Sequence, residues 1–436
     1  MSTTTRTTHG APGHPAAAAP DAPAELAVRE PMALKIPVTG VIVLVLQALM
    51  MLKSHGHTTF QLATGSDFLQ LPSLSLPAKA VIIVMAALNA AATARALQLA
   101  KARGRITAVI KAVMALAFVL SFLTWVGAGR ESVIPLVTIL SSTLALSVPL
   151  VFGSLAGLIG ERSGTINIAI EGQLLGGAFL GAVVASLASN PWAGLVAAPF
   201  AGMLVALLLA LFGLKYRVNQ IVVGVVLNVL VLGLTGFLFS TVLSEDPSGL
   251  NAAMRLPTLA IPGLSAIPVI GPVLFRQTIL VYLMYAAVAI LSVMLFRSRW
   301  GLRMRACGEH PRAADTVGIN VMRTRVANLV LGGALAGLGG AFFTLGSGLS
   351  FTKDMAAGNG YIALAAMILG GWHPLGALGA SLLFGFATSV GQTLSVIGSP
   401  IPANIILMFP YVVTIFAVAG FVGKVRAPAA EGVPYP

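Results

Sequence analysis

The stretch GERSGTINIAIEGQLLGGAFLGAVVASLASNPWAGLVAAPFAGMLVALLLALFGLK, Gly160 to Lys215, carries a single charged residue, Glu171, between Ser163 and Leu214. At about 20 residues per crossing, its apolar part is long enough for two helices through a bilayer. Its polar start, with Gly164 and Gly172 on either side of Thr165 to Glu171, interrupts the run. Irregular backbone at membrane depth is tolerated only inside protein or beside a cavity, so the interruption reads as a broken or re-entrant helix. A carboxylate there costs on the order of 3 kcal/mol to insert. Two roles answer that cost: Glu171 accepts backbone N–H bonds and closes the break, or it contacts a substrate.

The rest of the chain has the same character. Its 436 residues are 57% hydrophobic and only 9% charged, with a mean hydropathy of +0.94, where a soluble protein carries roughly a quarter charged residues. Apolar runs recur at 36–52, 78–94, 112–129, 133–157, 173–188, 193–214, 220–243, 277–296, 327–345, 362–371, 375–395 and 405–422. They predict twelve crossings, with 362–371 too short for a full one. None alternates with the period of two that barrel strands show. The expected fold class is all-α: a polytopic membrane protein with discontinuous or re-entrant helices near the bilayer midplane. With both ends cytoplasmic, nineteen Lys and Arg fall on that side against six on the other, Arg162 being left unassigned, as the positive-inside bias requires. That bias also accounts for the net charge of +13 without a nucleic-acid partner.

Composition divides the chain. Residues 1–33 read as a disordered cytoplasmic tail, 34–130 as an extra module of about three spans, 131–424 as the transport core with a cytoplasmic loop at 297–325, and 425–436 as a cytoplasmic tail. Glycines at close spacing inside spans, as in GALAGLGGAF from Gly333 to Phe342, let helix backbones approach. A second interruption, FTKDMAAGNGYIALAAMILGGWHP from Phe351 to Pro374, pairs a polar loop holding Asn359 and Tyr361 with an apolar run about 15 Å long. Two interrupted segments in the two halves of one chain point to a midplane path lined by Asn167, Glu171, Asn228, Phe351, Asn359 and Tyr361. For Asn228, inside its span, interhelical hydrogen bonding is the alternative to lining that path.

The loop RSRWGLRMRACGEHPRAADTVGINVMRTR, Arg297 to Arg325, sets seven arginines against Glu309 and Asp315. Pro311 can open a helix there, Arg312, Ala313 and Ala314 favour one, and Gly318 can close it. A short helix fixed between two spans is a docking element; a solvated basic loop that only sets topology is the other reading. The chain contains no G-x-x-x-x-G-K-[ST], so it does not handle ATP by the P-loop route. It also lacks H-E-x-x-H and G-x-S-x-G, and its one cysteine, Cys307, forbids an internal disulfide. No enzyme chemistry, cofactor or metal site is expected. His373, at a turn beside Trp372 and Pro374, reads as an interfacial anchor rather than a catalyst.

The spacing of Ala313, Ala314 and Gly318 resembles the short cytoplasmic helix by which membrane subunits of ABC importers engage their ATPase, although Arg312 stands where that pattern has an acidic residue and the trailing I-x-L-P is absent. The strings ERSGTINIAIEG, YRVNQIVVGVVLNVL, GLRMRACGEHPRAADTVGINV, AAMILGGWHPLGA and RAPAAEGVPYP resemble the permease subunits of bacterial nucleoside ABC importers, in the group that includes ribose-type and branched-chain amino-acid permeases. The likeness runs from about Ser132 onward and leaves the first three spans outside it. It implies an importer for nucleosides or related purine compounds in the bacterial plasma membrane. It also implies three partners: a sister permease, an extracellular lipoprotein receptor and a cytoplasmic ATPase that binds the ATP and magnesium. Under it, Gly308, Glu309, Pro311, Arg312, Ala313, Ala314, Asp315 and Gly318 form the ATPase-coupling element. A permease for a simple sugar such as ribose, and an ion-gradient-driven transporter using Glu171, are the alternatives.

Overall fold

A computed structural model describes residues 34–65, 69–104, 106–130, 133–397, 405, 408 and 426–435. The tail expected at 1–33 and nearly all of the run at 405–422 lie outside the described residues. The protein is an all-α polytopic membrane protein, with short strands at helix ends. In chain order the helices are α1 (Lys35–Lys53), α2 (Ala78–Lys101), α3 (Ala108–Gly127), α4 (Leu136–Arg162), α5 (Ile170–Leu187), α6 (Pro191–Leu209), α7 (Gln220–Leu238), α8 (Pro247–Leu250), α9 (Ile270–Leu274), α10 (Ile279–Arg297), α11 (Arg299–Glu309), α12 (Pro311–Thr316), α13 (Val321–Ala341), α14 (Asn359–Leu369) and α15 (Pro374–Ile397). Helices α6, α7 and α13 each end in a wider π turn, at Ala210–Lys215, Phe239–Leu243 and Phe342–Gly346. Among the described residues ten helices are long and apolar enough to cross a membrane. The short run at 362–371 is α14, whose 11 residues rise about 16 Å, half a bilayer core.

Surface chemistry agrees with a lipid solvent. Helix α7 turns Ile221, Val222, Val225, Val226, Val229 and Leu230 outward, a contiguous apolar face that water would not tolerate. Helix termini use ordinary caps: Asn219 Oδ1 accepts from Ile221 N at 2.9 Å and Asn190 Oδ1 from Trp192 N at 2.9 Å, each closing a first turn whose amides have no helical partner.

The chain divides into two compact units. In the first, residues 34–49 with 83–121, a polar clasp joins three apolar helices. Gln47 Nε2 donates to Ser121 Oγ at 2.9 Å, and Asn89 Nδ2 donates to Gln47 Oε1 at 3.0 Å. Buried amides in lipid must find one another, and each such bond contributes about 0.6–2 kcal/mol.

The second unit, residues 50–82 with 122–435, holds the site. Strand β1 (His57–Gln61) pairs antiparallel with β2 (Leu74–Pro77) and parallel with β3 (Ile134–Pro135). A second ribbon joins β4 (Thr258–Ala260) to β5 (Arg276–Thr278). Helix α4 runs through the middle, packed on α13, α14 and α15. Phe152, Leu155, Leu158 and Ile159 of α4 are fully or almost fully buried there. The glycine-rich face of α13 lies against α5 and α6, as its spacing implies: a Cβ on Gly340 would collide with the carbonyl of Leu174, and one on Gly202 with that of Gly333. A Gly340→Ala variant must therefore separate two packed backbones, at about 1–3 kcal/mol or more. We expect its thermal unfolding midpoint in detergent to fall by several degrees, while Gly379→Ala, where nothing lies within 4 Å, leaves the midpoint unchanged or raised.

Candidate functional site

The two interrupted segments meet. Helix α4 ends at Arg162, and the loop 163–169 turns back along it, close enough that a Cβ on Gly153 or Gly157 would touch Ile170. Helix α5 therefore begins inside the bundle. Glu171, in its first turn, reaches the start of α14: Oε1 accepts from Gly358 N at 2.7 Å and Oε2 accepts from Gly360 N at 2.6 Å. One carboxylate thus serves the positive ends of two helices, where its charge is most stabilised. Glycine suits two positions at the end of the loop that feeds it: Gly358 has φ +84°, a left-handed backbone that L side chains resist. A Cβ on Gly360 would press on the backbone of Glu171.

The neighbouring polar groups knit the same break. Asn228 Oδ1 accepts from Gly172 N at 2.8 Å, while its Nδ2 donates to Ile168 O at 2.9 Å and to Tyr361 Oη at 3.2 Å. Asn167 and Gln173 exchange side-chain amide bonds at 3.1 and 3.2 Å. Gln220 Oε1 accepts from Ile166 N at 2.8 Å. Phe351 is fully buried, edge-on to Phe179 at 5.3 Å, with its backbone held by both ends of the Asn251 amide. Asn167, Glu171, Asn228, Phe351 and Tyr361 thus cluster in and around the clamp. Gln173, Gln220 and Asn251, which the sequence reading passed over, belong to the same set; Gln173 and Gln220 open apolar runs, a legible polar signal, whereas Asn251 lies between runs and carries none.

Open space lies beside the clamp. A cavity of about 310 Å³ is lined by Pro149 and Leu150 of α4, Phe342 and Phe343, Asn359 and Ile362 of α14, and Thr388 and Gln392 of α15, among others. A second, of about 460 Å³, shares Leu146, Phe342, Ser347 and Gln392 with it and extends past Ser141, Ser142, Arg255, Arg276 and Gln277 to the start of α10. Both volumes fall in the about 300–1,000 Å³ usual for small-molecule sites. Of the six path residues expected from sequence, Asn359 is the one that lines either cavity, the smaller. The others in the lining, Gln392 and Thr388 above all, carry a legible signal: polar side chains inside an apolar span, tolerated where a helix faces a cavity. No carboxylate stands among the described lining residues.

At the opposite end of α4 the arginine-rich loop is two helices rather than one. The sequence reading missed α11, which Ser298 caps by accepting from Gly301 N at 3.1 Å and which buries Met304, Cys307 and Gly308. Helix α12 starts at Pro311, and Gly318 follows it with φ +83°, as those residue types imply. Ala314 is the buried residue of α12, whereas Arg312, Ala313, Asp315 and Gly318 are exposed and Pro311 is half-buried. His373 stacks on Phe296 with ring centroids 4.9 Å apart, and Nδ1 accepts from Leu375 N at 3.2 Å.

Comparison with known proteins bears on the same residues. The family described as Branched-chain amino acid transport system / permease component matches residues 139–418. The guanosine ABC transporter permease protein NupQ of Bacillus subtilis is 41% identical over 68% of this chain and 96% of its own length. The nucleoside ABC transporter permease protein NupC of Lactococcus lactis is 40% identical over the same shares, and a putative glucose ABC transporter permease protein of Haloferax volcanii, TsgC13, is 33% identical over 60% of this chain and 80% of its own. No solved structure matches the chain.

Proposed function

Since this chain belongs to the family of branched-chain amino acid transport system permease components, we propose that it is one permease of an ATP-driven importer for nucleosides or related purine compounds. The observation that carries the reading is the pair of cavities that share lining residues, the smaller of them lined by Asn359, Thr388, Gln392 and Ser347 together with Phe342 and Phe343. A neutral solute with an aromatic base and a hydroxylated sugar needs hydrogen-bonding groups and flat apolar surface rather than a charged cage, as the smaller cavity offers; Arg255 and Arg276 line the larger. Relatives named for guanosine and nucleoside transport at about 40% identity support the same ligand class. Glu171, with both oxygens engaged by α14 amides, serves the fold of the break rather than an ion relay.

In this reading α11, α12 and residues 426–435 face the cytoplasm, where the arginines of α11 belong. A separate ATPase binds ATP and magnesium, a sister permease completes the path, and a receptor delivers solute to the mouth beside Arg255. ATP binding closes the ATPase dimer, α12 carries the displacement inward, and the segments joined at Glu171 shift so that the cavities alternate their access. Proteoliposomes holding this chain, its sister permease and the ATPase test it: labelled guanosine or adenosine should enter with ATP and be competed by other nucleosides but not by ribose or glucose. Competition by sugars alone overturns the ligand class. A Gln392→Leu variant should raise KM for the nucleoside about five-fold, the loss of about 1 kcal/mol of hydrogen bonding, with kcat near wild type.

A further inference from the structure

We propose that residues 426–435 form a brace that holds α12 in register with the break loop 163–169, so that force applied at α12 reaches the Glu171 clamp; this rests on α12 as the ATPase-docking helix. The segment is held along its length by residues far away in sequence. Ala429 N donates to Glu309 Oε2 at 3.3 Å. Ala430 N donates to Gly308 O at 2.8 Å, and Gly432 N to Gly164 O at 3.2 Å. The Arg325 guanidinium, fully buried at the start of α13, donates to Val433 O at 2.8 Å and Ala430 O at 3.4 Å. A buried cation needs such acceptors, and carbonyls supply them without a counter-charge. Glu431 hydrogen-bonds the carboxyl of Glu161, which also accepts from Trp372 Nε1 at 2.6 Å. Two carboxyl groups in contact need a proton between them, and burial holds Glu431 above the ordinary carboxyl range.

At its far end the segment reaches α12. The Tyr435 ring packs on the cluster of Cys307, Ala314 and Val321, and its hydroxyl interacts electrostatically with Asp315. A six-residue helix with one buried side chain cannot fix its own orientation; most of a helix's stability comes from tertiary packing. The brace supplies that packing from one side of α12, while its Gly432 contact bears on the loop that leads into α5. Close fit shows at the break-loop end. A Cβ on Gly164, φ +91°, would lie 2.5 Å from Arg325 Nη2, and one on Gly432, φ +70°, would lie 2.7 Å from Ile166 Cδ1.

The single cysteine reports the seating directly. Cys307 is fully buried beneath Tyr435, and burial pushes its thiol up, so the wild type should react slowly with N-ethylmaleimide. In the reconstituted three-protein complex, deleting residues 427–436, or the substitution Gly432→Val, should speed that reaction at least ten-fold. Guanosine moved per ATP hydrolysed should fall by at least ten-fold, with guanosine KM unchanged. Tyr435→Phe, which removes one hydroxyl and leaves the fold intact, should lower the same ratio two- to three-fold. An unchanged labelling rate in both larger variants, or faster labelling with full guanosine transport per ATP, overturns the brace. Wild-type uptake that persists without the ATPase overturns the docking role of α12 and the brace with it; ATP-dependent wild-type uptake alongside wild-type behaviour of the variants overturns the brace alone.

Discussion

Uptake by a Glu171→Ala variant is expected to fall about 100-fold, the equivalent of about 2.8 kcal/mol, with a lower thermal unfolding midpoint in the same preparation. The reason is arithmetic on two donors. Removing the carboxylate strips the amides of Gly358 and Gly360 of their partners in a place with little water to replace them, at about 1–3 kcal/mol for each unpaired group. The start of α14 then has no fixed position relative to α5. Glu171→Gln separates the two roles that the sequence left open. Its carbonyl accepts one amide while its NH2 group confronts the other, so the clamp is half lost, and uptake should drop about ten-fold. If Glu171 acts by closing the break, nucleoside KM in that variant stays near wild type and the loss appears in the maximal rate. A raised KM with an unchanged melting profile would assign the carboxylate to solute contact instead, and wild-type uptake by Glu171→Ala would remove the clamp from the mechanism.

Gly318→Trp should leave the protein folded and transport nearly silent. Gly318 sits just beyond α12 with φ +83° and no atom within 4 Å of where a Cβ would be. The substitution costs about 1–2 kcal/mol in backbone strain and projects a large ring into the space an ATPase would occupy. Guanosine uptake and transport-coupled ATP hydrolysis in the reconstituted complex should both fall at least ten-fold, while yield and melting temperature of the isolated permease change little. Gly318→Ala, with the same strain and no bulk, should retain most activity. Equal activity in wild type and Gly318→Trp would move the docking surface elsewhere.

Particular residues show how far one-dimensional reading reaches. The interruption at Gly164 to Gly172 and the polar loop before α14 were visible because glycines and a lone acid stand out against apolar runs, whatever surrounds them. The helix at Pro311 was visible because Pro opens and Gly closes helices by their own backbone constraints. Helix α11 was missed: its arginines read as topology, and only its packing against the end of α4, with Gly308 close on the carbonyl of Arg162, shows it as a structured element. Asn359 stood out in its polar loop. Gln392 and Thr388 carry the same kind of signal, a polar side chain inside an apolar span, but one amide or one hydroxyl does not tell that a cavity lies beside it.

Composition and periodicity by themselves determined that this chain lives in lipid, that it is helical, where its spans run and where two of them are interrupted. These are local quantities, set by transfer free energy per residue and by backbone hydrogen bonds satisfied within one segment. Tertiary structure decided which interruption faces which. Glu171 finds its amides 187 and 189 residues away, and Arg325 finds its carbonyls 105 and 108 residues away. Such pairings depend on how whole helices pack; in a bilayer, close backbone approach is marked by glycine spacing, but the scattered polar groups that fix which segments meet leave no periodic trace in the sequence.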